Sequence, residues 1–220
     1  VMFKHVLGIL SIGFVLFLAG CGNNPETEIY NHLEAAVQLE DDFQKQQDEI
    51  TKLEQEEQEL YKEIIELGIE EMEQIQELIN KAIASIEERS VNIQSEKKSL
   101  DASREEFVKS EALIEEIKDE EVKGKAVSMY EAMIKRFEAY ETLHKTYNES
   151  LTLEKELYEK FLKDDLEEEE LQAHIEKVNL KYQEVIKANE TFNDYTSKYN
   201  ELKKNFYEAA EINVTYIENN

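Results

Sequence analysis

Residues 72–114 read MEQIQELINKAIASIEERSVNIQSEKKSLDASREEFVKSEALI, and their spacing decides the fold. Met72, Ile79, Ile86, Ile93, Leu100, Phe107 and Ile114 fall seven apart, and every one is apolar. With 41% of the chain apolar, such a run would arise by chance about 0.2% of the time in a given register. The repeat is that of a helix packed along its whole length against partners. A companion row is different. Ile75, Ala82 and Ile117 suit a core, but Arg89, Glu96, Ser103 and Ser110 are polar. This pattern predicts a thinly packed, soft middle from Arg89 to Arg104.

Working outward toward the N-terminus, Ile29, Ala36, Phe43, Ile50 and Ile64 keep the same step, interrupted at Glu57. Leu39, Leu53, Leu60 and Leu67 form a second row, so the two rows predict one helix of roughly 40 residues. Leu67-Gly68-Ile69 should end it, because glycine is the usual residue just past a helix terminus. Beyond the ladder, Asp119 reads as the N-cap of a third helix. That helix should bury Ala126, Met129, Met133, Phe137, Tyr140, Tyr147, Leu151, Leu157 and Phe161. Asp164, Asp165 and Glu167 to Glu170 are carboxylates suited to the start of a last helix. Its rows are Leu171, Val178, Val185, Phe192, Tyr199 and Phe206, and Ala188, Tyr195, Leu202, Ala209 and Tyr216.

Pro25 is the only proline and there are only six glycines, too few breakers for the frequent turns of a β or α/β fold. The expected fold is all-α, an elongated antiparallel up-down-up-down four-helix bundle roughly 60 to 75 Å long. The alternative is a three-helix, spectrin-like rod in which the Asp119 region does not break.

The first twenty residues read as a separate object. Lys4 precedes an apolar run from Val6 to Leu18, about 13 residues and short of the ~20 that span a bilayer. It ends in Leu18-Ala19-Gly20-Cys21, with the only cysteine of the chain at the cleavage position. Residues 1–20 are therefore expected to be a signal peptide that is removed, 21–25 a lipidated tether, and 26–220 the helical bundle domain. Cys21 would carry a covalent diacylglycerol or other acyl lipid such as palmitate, with no further cofactor. The rod would sit on the extracytoplasmic face of the cell membrane.

The formal charge is −26, and Lys4 is the one basic residue before Cys21, so the part beyond it is more acidic still. Nucleic acid is excluded as a ligand, since phosphate binding needs a basic face. Tight docking on anionic head groups is disfavoured for the same reason. Glu141-Thr142-Leu143-His144 matches half of the Glu-x-x-His signature of di-iron bundles, but no second copy surrounds His174, and a surface histidine is the plainer reading. Phosphate loops, His-Glu-x-x-His and Gly-x-Ser-x-Gly are lacking, and no enzyme or metal site is expected. Glu167 to Glu170 is the densest acidic patch, without the loop spacing of a calcium site.

Nine of the eleven tyrosines lie beyond residue 122. Most fall on the seam, where a ring packs and its hydroxyl reaches the rim. Tyr158, Tyr182 and Tyr207 fall off the strongest rows and are candidates for an exposed aromatic face that stacks on sugar rings.

Four stretches carry a family resemblance: Ile29-Tyr30, Glu57-Gln58-Glu59-Leu60-Tyr61, Lys187-Ala188-Asn189-Glu190 and Phe206-Tyr207-Glu208-Ala209-Ala210. With the Leu18–Cys21 motif, the chain resembles the YkyA-type cell-wall-binding lipoproteins of Bacillus and its relatives, from that motif to near the C-terminus. The resemblance implies a helical-bundle lipoprotein of the Gram-positive envelope and brings no catalytic motif. The expected function is a membrane-anchored, non-catalytic rod contacting peptidoglycan or an envelope protein. The alternative is a structural spacer or regulator between membrane and wall without a defined ligand.

Overall fold

A computed structural model describes residues 24–67, 69–163 and 167–214. All regular structure among them is helical: α1 Pro25–Gln38, α2 Asp41–Glu66, a 3-10 turn Ile69–Glu71, α3 Met72–Phe107, α4 Ser110–Glu116, α5 Glu120–Phe161 and α6 Glu168–Ala209. The helices run as four antiparallel arms: α1 with α2, α3 with α4, then α5, then α6. The α5 and α6 arms have 42 residues each, about 63 Å of helix. The three-helix alternative is excluded. Ile117 and Asp119 are extended, and Asp119 caps α5 by accepting from the N–H groups of Glu121 and Val122 at 2.9 and 3.1 Å.

The chain makes two hairpins. The α2 arm packs along α3, and α5 packs along α6; α1 lies on α3 and α4, while α3 and α5 join the hairpins. Six rungs of the opening ladder, Ile79 to Ile114, are buried. Met72 is the exception and is 45% exposed; it stands at the first position of α3, at the end of the arm. Phe161 is only partly buried, for the same reason at the end of α5. The remaining α5 positions read as core are buried.

Two arms are broken where the heptads predicted continuity. In the first, the helix tightens at Leu39 and Glu40, with Glu40 N–H donating to the Val37 carbonyl at 3.0 Å. This turns Leu39 outward and restarts the helix on Asp41 and Asp42, whose carboxylates suit its positive end. Ser99 of α3 bridges the break. Its hydroxyl accepts from Phe43 N–H at 3.3 Å and donates to the Leu39 carbonyl at 2.5 Å. The second break, at Val108 and Lys109, is held by Ser110, whose hydroxyl donates to the Phe107 carbonyl at 2.7 Å.

Candidate functional site

Where the hairpins meet, the core is polar at four levels. The middle of α3 between Arg89 and Arg104, expected to be thinly packed and soft, instead contributes to three of the four levels, through Arg89, Glu96 and Ser103. Arg89, Glu96, Ser103 and Ser110 are all buried: the first three have partners across the bundle, and Ser110 bonds the Phe107 carbonyl of its own arm.

The first level joins α1 to α6. Lys203 pairs with Glu34 at 3.0 Å, and the Tyr207 hydroxyl donates to the same carboxylate at 2.9 Å. Tyr30 packs edge-on against the Tyr207 ring. The second level sits on the α1–α2 break. Arg136 of α5 holds both oxygens of Glu40 at 2.8 and 2.7 Å, a bidentate pairing. Its Nε donates to Thr196 of α6 at 3.0 Å, Ser103 of α3 donates to Glu40 at 2.8 Å, and the guanidinium lies 4.9 Å from the Phe192 ring centroid. One pair thus gathers all four arms.

The third level holds Glu96 of α3, which is fully buried. Gln47 of α2 donates to it at 2.5 Å. Burial pushes its carboxyl up to about 7, against the opposing pull of the Gln47 and Tyr140 hydrogen bonds.

The fourth level is crowded with acid. Arg89 of α3 donates to Glu154 of α5 at 2.5 Å and to Glu57 of α2 at 3.2 Å. It also donates to the Tyr147 hydroxyl at 3.5 Å, which in turn donates to Glu54 at 2.7 Å, and the Tyr158 hydroxyl donates to Glu57. Burial alone would lower the guanidinium, but Glu154, Tyr147 and Glu57 override it and keep it charged. Burial pushes Glu54 and Glu57 upward, with Glu154 adding to the rise at Glu57. Three carboxyls therefore face one cation.

The aromatic strip expected on the surface is corrected here. Tyr158 and Tyr207 are each 1% exposed; their hydroxyls serve Glu57 and Glu34, which draws the rings inward. Tyr182 is half-buried over the same acidic level, and burial, Glu154 and Glu57 raise its phenol far above its ordinary value. Leu18, Ala19, Gly20, Cys21 and the Gly68, Asp164 and Asp165 turn positions lie outside the described residues, as does Tyr216.

His174 is buried, with its Nε2 2.8 Å from the Leu153 carbonyl, rather than on the surface. His144 is half-buried beside Asn148, and Glu141 pairs with Lys97 at 2.7 Å, so the two do not converge on one point. Burial, followed by Lys97, lowers the His144 imidazole. Among the described residues no helix is long and apolar enough to cross a membrane. Most of the side chains that form these levels are buried, and their cross-bundle pairs tie the arms in one register.

Glu57, Arg89 and Glu96 were visible in the sequence as polar residues at core positions. Arg136, seven residues from Met129 and Leu143, and Glu154, seven from Tyr147 and Phe161, stood at core positions too; Glu40, in the break between α1 and α2, gave no such signal.

The profile of a family described as "putative cell-wall binding lipoprotein", YkyA, matches residues 24–209. The chain is 34% identical over 196 residues to the Bacillus subtilis (strain 168) protein named "uncharacterized lipoprotein YkyA", covering 89% of this chain and 88% of that one. The crystal structure of a conserved Staphylococcus aureus protein of unknown function superposes with a TM-score of 0.70 at 11% identity, covering 87% of this chain and 97% of that one. At that identity the likeness is one of fold alone. The matched region contains all four polar levels as well as the ladder, and the chain belongs to the YkyA family.

Proposed function

We propose that the chain is a membrane-anchored, non-catalytic envelope lipoprotein whose helical rod contacts wall polymer or an envelope partner. Cys21, after Leu18-Ala19-Gly20, carries the lipid in this reading, on the extracytoplasmic face of the membrane. One observation carries it. Asn24 caps α1 through its side chain, with Pro25 in the first turn, so the rigid body begins within a few residues of Cys21. The rod then rises directly from the bilayer, and its free end is where α2 gives way to α3 and α5 to α6. Membership of a family of cell-wall-binding lipoproteins by description supports the envelope setting.

Burial of Tyr158 and Tyr207 favours a second reading, a spacer without a sugar-stacking face. Sedimentation of residues 26–220 with purified peptidoglycan separates the two. Both surfaces are acidic, so wall contact should be weak, dependent on Mg²⁺ or Ca²⁺, and lost on chelation. A rod that stays in the supernatant with and without the cation supports the spacer and overturns wall contact. Cys21→Ser should move the protein out of the membrane fraction; retention there overturns the anchor.

A further inference from the structure

Three of the four polar levels are built on a cation: Lys203, Arg136 and Arg89. The Glu96 level has none. Its neighbour in sequence, Lys97, turns outward to Asp101 and Glu141. From α2 Glu96 faces the neutral Gln47, and from α5 the Tyr140 hydroxyl, whose ring has His144 6.1 Å away between centroids. From α6 the Phe192 ring packs on Tyr140, with centroids 5.6 Å apart. Glu96 Oε1 and the Tyr140 hydroxyl are both buried and have, at most, each other as a partner, in a bond short of full geometry. The Tyr140 hydroxyl can donate to Oε1 in either protonation state, but it brings no charge to balance a carboxylate. An ionised Glu96 has no counter-charge, and water can reach it only if the hairpins part.

We propose that the joint between the two hairpins is proton-operated, with Glu96 neutral in the closed rod and its ionisation loosening α3 from α5 and from the α1–α2 break. The path to the break is short. Ser99, which bridges Leu39 and Phe43, lies three positions along α3 from Glu96, and Phe43 packs on Tyr140 with ring centroids 5.9 Å apart.

The sign follows from the folded carboxyl sitting above its unfolded value. The penalty is absent in acid, grows as pH rises past the ordinary glutamate range, and is complete above the folded value. The test is thermal melting of the full chain in mild detergent, followed by circular dichroism at pH 5.5 and 8.5 and constant ionic strength. The wild type should lose about 5 °C of Tm on going to pH 8.5, and Glu96→Gln should lose less than half as much. A flat wild type, or a Glu96→Gln variant with the full slope, overturns the proposal. Should Glu96→Gln not fold, glutamate-labelled wild type read by carbon NMR gives the answer directly. One side-chain carboxyl should titrate near neutrality, and Gln47→Leu, by removing a donor to the charged form, should move that midpoint upward. If no carboxyl titrates late, or the late one ignores Gln47→Leu, Glu96 is not the operator.

Discussion

The Arg136 and Arg89 levels use the same residue type to opposite ends. Arg136 meets a single carboxylate, Glu40, through both oxygens, and its spare donor goes to Thr196. Charge is matched and geometry is complete. Arg89 faces Glu54, Glu57 and Glu154, with Tyr147 and Tyr158 supplying donors. There charge is overmatched, and Arg89 Nε and Glu154 Oε1 are left without partners. A matched pair mainly sets register. An overmatched one also takes up protons, because the cheapest relief for excess buried carboxylate is to neutralise some of it.

Removing each cation breaks the comparison most sharply. Arg89→Met should lower the unfolding free energy measured in urea by about 3–5 kcal/mol, since it strands buried carboxylates. Adding Glu57→Gln and Glu154→Gln should recover most of that loss, and failure to recover would mean that Arg89 acts by packing rather than charge. Arg136→Met should cost less, about 2–3 kcal/mol, because Glu40 is nearer the surface and keeps Ser103 as a donor.

Ser99→Ala tests the break beside the matched level. It should cost about 1–2 kcal/mol by leaving Phe43 N–H and part of the Leu39 carbonyl unsatisfied, and amide exchange at Phe43 should quicken. Glu57→Gln alone should change stability least, by less than about 1 kcal/mol at neutral pH. The folded Glu57 carboxyl lies above its unfolded value, so wild-type stability falls as pH rises through that interval. Relative to wild type the variant should therefore gain as pH is raised from 5 to 8, and a parallel pair of urea profiles would remove Glu57 from the proton-holding group.

The ladder from Ile79 to Ile114 and the cap at Asp119 were legible because each depends on residues close in sequence. Even the interruptions were legible as positions: Glu57 in the first arm and Arg89 in the second are the two ends of one ion pair. What no linear pattern could show was their meeting. The break at Leu39 was hidden because an apolar residue on a heptad row gives no sign that it turns outward. Tyr158 and Tyr207 misled for a geometric reason. A bundle helix touching two neighbours buries a stripe wider than one heptad row, so a residue off the main row can still face inward. The position of Cys21 was read from a local motif alone, and the folded body adds only how soon after it the first helix begins.

The Glu40 clamp also decides how the rod bears load. A pull at Asn24 along the rod axis runs up α1 and reaches the break, where Arg136, Ser99 and Ser103 tie the first arm to α5 and α3. Those ties lie across the direction of pull and are strained together, as in a lap joint, rather than peeled one after another. Load entering α1 is therefore shared with α6 at Glu34 and with α3 and α5 at the break before it passes to α2.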